Sequence, residues 1–292
     1  MRLMVCGAGG MLGGAVRSAA AMRGHEVAAR TRTELDITDA DGVREALARA
    51  RPQAVINCAA WTDVDGAESD PEGAALVNVR GAAILARACA ADGAQLVHVS
   101  TDYVFDGEAP RDAGGEPRPY VESDSVGPRS AYGRSKLAGE REVTGASPAH
   151  AIVRTAWLFG AGGRNFVDTM LTLAGDHAEV KVVDDQTGCP TFAGHLAPAL
   201  VQVAEDGMAG LMHVAGGGSC TWFALAREVF SQSGVECDVQ PTDSQHFKRP
   251  APRPAWSVLE SERAATPRLP HWREGLTAHL AQRAAKAGGG HA

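Results

Sequence analysis

Tyr132 and Lys136 stand four residues apart as Y-x-x-x-K, in a chain of 292 residues that holds three tyrosines and four lysines. On a helix that spacing puts both side chains on one face, where they can meet one substrate. A phenol titrates near ~10, too high to trade protons easily at neutral pH. An ammonium ~6 Å away, at an effective dielectric of ~20, stabilises the phenolate by ~2.8 kcal/mol, about two pKa units. The pair therefore predicts a tyrosine acting as general acid with a lysine that lowers its pKa. Lysine occurs only at 136, 181, 248 and 286, and the other 24 basic residues are arginine. Where only charge is wanted this chain uses arginine, so a lysine beside a tyrosine points to the compact ammonium itself.

Further groups fall into place around that pair. Gly7-Ala8-Gly9-Gly10-Met11-Leu12-Gly13 follows the first apolar run and opens the first helical one. Gly7, Gly10 and Gly13 allow a tight turn, close approach of backbone to a pyrophosphate, and close helix packing, with the phosphates at the positive end of the helix. At the end of the second predicted strand an acid suits a free ribose 2′-hydroxyl and an arginine suits a 2′-phosphate. The chain has Arg30-Thr31-Arg32 there, which predicts NADPH, with NADH possible. Ser100-Thr101-Asp102-Tyr103-Val104-Phe105 follows the fourth predicted strand, at the end of a parallel sheet where ligands bind. Its Thr101 hydroxyl can complete a proton-donating group with Tyr132. Taken singly, these segments would also serve as a plain turn, a strand-capping turn and two solvated arginines.

The elements that must position these residues alternate. Strands are expected at Leu3–Cys6, Val27–Ala29, Ala54–Cys58, Gln95–Val99 and Ala151–Thr155. Helices are expected at Gly13–Met22, Asp39–Ala50, Asp65–Ala91 and Ser130–Val143, and later at Asn165–Ala174, His195–Ala204 and Thr221–Gln232. Alternation at this spacing means βαβ units, hence an α/β fold: a Rossmann-type doubly wound parallel sheet. After residue 155 the pattern loosens into a smaller, less regular α/β domain, with proline and arginine crowded into 241–254 and a frayed tail over 284–292.

Composition agrees with such an enzyme. Hydrophobic types make up 45% and charged types 22%, which excludes a disordered chain. The net charge of −7 argues against nonspecific nucleic-acid binding, which needs a basic face. No stretch reads as ~18 apolar residues, so no membrane partner is expected. The start breaks into glycine at once, unlike a secretory signal. Six scattered cysteines, at 6, 58, 89, 189, 220 and 237, read as reduced thiols of a cytoplasmic protein.

Longer segments narrow the reading. Asn57-Cys58-Ala59-Ala60-Trp61-Thr62-Asp63-Val64-Asp65-Gly66-Ala67-Glu68, Ser100–Gly107, Tyr132-Gly133-Arg134-Ser135-Lys136, Arg154-Thr155-Ala156-Trp157-Leu158-Phe159-Gly160 and Asp185-Gln186-Thr187-Gly188-Cys189-Pro190-Thr191 occur in that order, followed by Arg253-Pro254 with Ser257 and Leu259. Over nearly its whole length the chain thereby resembles the dTDP-4-dehydrorhamnose reductases of the extended short-chain dehydrogenase/reductase family. The resemblance implies NAD(P)H-dependent reduction of the 4-keto group of a dTDP-sugar to give dTDP-L-rhamnose. It places Thr101, Tyr132 and Lys136 at the catalytic positions. It places Met11, Leu12, Asp36, Ile37, Ala59, Ala60 and Thr62 against the cofactor, with Arg30 at the adenosine ribose. Asp102, Tyr103 and Trp157 join Thr101 at the nucleotide-sugar, and Asn165 and Arg253 face its diphosphate. The domains implied are residues 1–155, with returning segments at roughly 164–184 and 195–205, for NADP(H), and the remainder of 156–292 for the nucleotide-sugar.

Two other readings use much the same residues: a nucleotide-sugar epimerase of the same superfamily, and a non-catalytic relative resembling the regulatory subunit of methionine adenosyltransferase. Some members of the resembled family are dimers bridged by Mg²⁺ through glutamates. At the matching positions this chain has Ala15 and Gly194, which cannot coordinate a hard cation, so no metal and a monomer or weak homodimer are expected.

Overall fold

A computed structural model describes residues 1–288. Its first half runs β1 (Arg2–Cys6), α1 (Met11–Met22), β2 (Glu26–Arg30), α2 (Ala40–Ala50), β3 (Ala54–Asn57), α3 (Gly66–Ser69), α4 (Pro71–Ala75), α5 (Ala82–Ala91), β4 (Gln95–Thr101), α6 (Ala131–Ala146) and β5 (Ala151–Thr155). The second half continues with β6 (Leu158–Phe159), α7 (Phe166–Asp176), β7 (Glu179–Val183), β8 (Thr187–Gly188), β9 (Thr191–Phe192), α8 (Ala193–Glu205) and β10 (Gly210–His213). It ends with β11 (Cys220–Thr221), α9 (Trp222–Ser233), β12 (Asp238–Thr242), β13 (Trp256–Ser257) and α10 (Trp272–Gly288).

Six strands form one sheet in the order β10-β5-β4-β3-β1-β2, every pair parallel. Helices cover both faces, so the central strands bury apolar residues on both sides, with polar ones such as Asn57, Ser100, Thr101 and Arg154 toward the carboxyl ends. Along β1, Leu3 and Val5 join a core with Leu12 and Val16 of α1 and Leu196 and Leu200 of α8. Met4 and Cys6 face the other way, onto Val43 and Leu47 of α2 and Leu85 and Cys89 of α5. The chain starts at β1, steps outward to β2 and returns to β3 on the far side. That reversal opens a crevice at the carboxyl ends of β1 and β3.

The alanine-rich stretch expected as one helix over 65–91 is broken twice. Asp70 caps a new start at Pro71, and Leu76–Gly81 forms a π-helical turn before α5. The wider turn rolls Asn78 inward, where its Oδ1 accepts from Trp61 N at 2.9 Å and its Nδ2 donates to Ser135 Oγ at 2.9 Å. Pro71–Ala91 is long and apolar enough to pass for a membrane span, contrary to the sequence expectation. Here Ala82, Leu85, Ala86 and Cys89 of that stretch pack into the core beneath the sheet.

A second core is built from Phe159, Val167, Met170, Val180, Val182, Phe192, Leu225, Val229, Phe230, Trp272 and Leu276. It takes in α7 and β7, so the expectation that 164–184 returns to the large sheet fails. Val167 and Met170 of α7 bury against α9, and β7 pairs with β12. By contrast α8 lies along α1, and β10 closes the sheet beside β5. The expected frayed tail is also helical as far as α10 extends, through Gly288; positions 289–292 lie outside the described residues.

Candidate functional site

A cleft of about 840 Å³ runs along the carboxyl ends of β1, β3, β4 and β5. Gly7, Gly10, Met11, Leu12 and Gly13 form its floor. Gly7 has φ of +73°, and a Cβ there would come within 2.7 Å of Ala59 N across the crevice. A Cβ on Gly13 would overlap Gly7 O. Only glycine lets the two loops approach this closely. The first turn of α1 has no side-chain cap and no acidic residue. Its backbone N–H groups therefore remain free for an anion. A dinucleotide fits this floor, because a narrow backbone cradle with uncapped donors is what a pyrophosphate needs.

The cofactor and substrate residues expected from the sequence line this one cleft except Arg30, Asn165 and Arg253. The Arg30 guanidinium donates to the neighbouring Ala29 carbonyl at 3.1 Å, while Arg32 lines the cleft. Of the two arginines it is thus Arg32, two residues beyond the end of β2, that stands on the cleft wall. Asp36 is tied down by Thr38, whose N–H and hydroxyl donate to Oδ1 at 2.9 and 2.8 Å. Those bonds hold its carboxyl below the ordinary range. Ile37, Ala59, Ala60 and Thr62 continue the same wall.

At the far end Ser130 caps α6 by accepting from Gly133 N at 3.0 Å, which fixes the turn that carries Tyr132. Tyr132, Lys136, Thr101 and Asp102 are all buried and all line the cleft. Burial pushes the Tyr132 phenol up to about 12, with the Thr101 hydroxyl opposing and the Asp102 charge adding. This overturns the expectation of a lowered tyrosine. Loss of water around the phenolate outweighs a lysine whose Nζ is engaged elsewhere, donating to Val99 O at 2.7 Å. Lys136 itself is pushed down to about 8, mainly by burial, with Glu140 and Cys58 opposing. Thr101 Oγ1 donates to Asp102 Oδ1 at 2.9 Å, and Asp102 Oδ2 is buried without a partner. Desolvation pushes the Asp102 carboxyl up to about 6, with the Thr101 and Ser257 hydroxyls acting the other way.

Trp157 closes the cleft with a backbone φ of +44°, which a bulky residue rarely adopts. It stacks on Trp222 with centroids 3.4 Å apart and planes 3° from parallel. Asn165 is engaged by its own loop and helix. Its Nδ2 donates to Gly160 O, Gly163 O and Asp168 Oδ2, and its Oδ1 caps α7. Arg253 pairs with Asp65 at 2.8 Å and lines a smaller pocket of about 270 Å³ on the other side of Tyr103.

Sequence reasoning missed the buried polar layer behind the site. Glu140 accepts from Arg154 Nε and Nη2 at 2.9 and 2.7 Å and from Ser100 Oγ at 2.5 Å. This ion pair locks α6 to β4 and β5, and so fixes Tyr132 and Lys136 over the strand ends. Glu140 lies one turn after Lys136 on the same helix face, which was the available signal. Arg164, beyond the Gly160–Gly163 loop, adds a second exposed cation to the cleft.

Residues 1–285 match the family described as RmlD substrate binding domain. The chain is a member of the RmlD family. Its likeness to a Mycobacterium tuberculosis dTDP-4-dehydrorhamnose reductase is 47% identity, covering 96% of this chain and 92% of that one. A Streptomyces antibioticus protein named as a probable dTDP-4,6-dihydroxy-2-methyloxan-3-one 4-ketoreductase is 44% identical, covering 90% and 88%. Among solved structures, the dTDP-4-dehydrorhamnose reductase of Bacillus anthracis in complex with NADP superposes with a TM-score of 0.91. It is 34% identical, covering 96% of this RmlD-family chain and 99% of that one.

Proposed function

We propose that this protein reduces the 4-keto group of dTDP-4-dehydro-6-deoxy-L-mannose, giving dTDP-L-rhamnose, with NADPH as reductant. The observation that carries the reading is the single cleft shared by the glycine cradle and by Thr101, Tyr132 and Lys136. The similarity to named 4-ketoreductases supports the substrate class. The six free thiols fit a reducing compartment, the cytoplasm.

Bound along Gly7–Gly13, NADPH supplies the hydride. Gly7, Gly10 and the first turn of α1 would hold its pyrophosphate, and Arg32 would meet a 2′-phosphate. Tyr132 gives its proton to the oxygen at C4 as negative charge builds there. With burial pushing it up to about 12, the phenol carries its proton at neutral pH and has it to give. Thr101, once its hydroxyl turns from Asp102, hydrogen-bonds the same oxygen. Lys136 sits behind the phenol, and Asp102, Tyr103 and Trp157 shape the sugar end. The test is NADPH oxidation by the purified protein with a panel of 4-keto nucleotide-sugars. Turnover of dTDP-4-dehydrorhamnose above the other dTDP-4-keto sugars is expected. No turnover with any keto sugar, alongside specific capture of a methionine adenosyltransferase, would replace catalysis with the binding role.

A further inference from the structure

Behind Lys136 lies a chain of three buried side chains that the mechanism above does not use. Asn57 ends β3, His98 lies in β4, and each is 1% exposed. Asn57 Oδ1 accepts from the backbone N–H of Ala59 at 3.0 Å. A backbone N–H can only donate, so the amide orientation is settled: oxygen toward Ala59, NH₂ toward His98. Asn57 Nδ2 therefore donates to His98 Nδ1, 3.1 Å away, and Nδ1 must be the bare nitrogen of a neutral imidazole. Burial favours that neutral form, as does the Lys136 charge. The ring proton then sits on Nε2, which points at Lys136 Nζ from 3.5 Å, the outer limit of a hydrogen bond.

A charged ammonium has three donors and no acceptor. Facing it with an N–H puts two donors head to head, whereas a neutral amine has a lone pair for that proton. We propose that His98, its tautomer fixed by Asn57, is a positioning residue that orients Lys136 and weakens its hold on its own proton. Other groups face the amine as well. Glu140 lies one turn on along α6, already engaged by Arg154 and Ser100. Tyr132 is one turn back, and the Cys58 thiol faces it from the loop after β3. Glu140 and Cys58 both act to keep the proton on and burial opposes them; the Nε2–H of His98, facing Nζ from 3.5 Å, adds to the opposition in this proposal. The consequence is an amine able to exchange its proton near neutral pH. This inference rests on Lys136 belonging to the catalytic pair.

The test uses cofactor-free protein and needs no turnover. With ¹⁵N-histidine labelling, His98 is expected as Nε2–H with an unprotonated Nδ1. With ε-¹³C-lysine labelling, four lysines give four signals, and Lys136 is assigned by its loss in Lys136→Met. Its midpoint is expected to rise by ~0.5–1 pH unit in His98→Leu. In Asn57→Asp, the carboxylate should draw the proton to Nδ1 and switch the tautomer. An Nδ1–H tautomer in the wild-type protein would overturn the proposal, whether or not the variants fold. So would an unmoved Lys136 midpoint in folded His98→Leu. If Tyr132→Phe abolishes turnover while the tautomer is Nδ1–H, the catalytic reading stands and this one fails.

Discussion

Replacing Asp102 by asparagine should make the protein more stable and less active. The carboxyl is 3% exposed, with one oxygen lacking a partner, and burial pushes it from 3.8 up to about 6. A raised carboxyl favours the protonated native state, so the native protein holds a proton between pH 4 and 6 that the unfolded chain has released. Stability therefore falls as pH rises through that window, and above it the full cost of the buried charge remains. At ~1.4 kcal/mol per tenfold, the shift corresponds to about 3 kcal/mol. Asparagine keeps Oδ1 as the acceptor for Thr101, offers an N–H toward Ser257, and carries no charge. The expected outcome is a gain approaching 3 kcal/mol at pH 7.5, equivalent to roughly 5 °C in Tm, shrinking to nothing near pH 4. Urea melts of both proteins across pH 4–8, beside turnover at pH 7.5, measure it. A variant less stable than wild type at every pH would refute the argument, because it would mean the carboxylate is satisfied in the native state. Retained full activity would refute a role for Asp102 at the sugar end.

Tyr132→Phe keeps the ring and removes the proton, so kcat should fall at least ~100-fold with NADPH affinity unchanged by fluorescence titration. Arg32→Ala should raise the KM for NADPH by ~10-fold while leaving NADH alone, whereas Arg30→Ala should leave the ratio of the two cofactors as it was. Glu140→Gln leaves Arg154 buried with its charge uncompensated, so denaturant unfolding should show a loss of ~3–5 kcal/mol. With Ala15 and Gly194 where some relatives carry glutamates, activity should survive EDTA, and sedimentation should show no dimer that depends on Mg²⁺.

Five of the six strands of the large sheet were legible because each is a short, mostly apolar run bounded by a turn, whereas the edge strand β10, Gly210–His213, is too short and mixed to stand out. The end of the fifth predicted strand, Thr155, coincides with the end of β5. The break at Leu76–Gly81 was not legible, since its residues carry no signal that separates a π turn from an α turn. The π turn follows from the fit between helices, where a Cβ on Gly139 would overlap Asn78 O. The chemistry-bearing residues were readable as types at a spacing, but their electrostatics were not. Spacing places Lys136 near Tyr132, whereas the direction of each shift depends on how much water is lost. The choice between Arg30 and Arg32 has a similar origin: Arg30 ends β2 and Arg32 lies just past it, and only the path of the chain after the strand decides which one lines the cleft.

The stacked indoles of Trp157 and Trp222 have an optical consequence. Two parallel chromophores at 3.4 Å couple their excited states, and a coupled pair in a chiral setting gives a paired positive and negative band in near-ultraviolet circular dichroism. Trp157 is anchored in the seam beyond β5, and Trp222 opens α9 in the smaller core. Any motion that slides α9 over the cleft changes their overlap and hence the amplitude of that couplet. The protein thus carries a label-free gauge of how its two cores move against each other, readable while a nucleotide-sugar is titrated in.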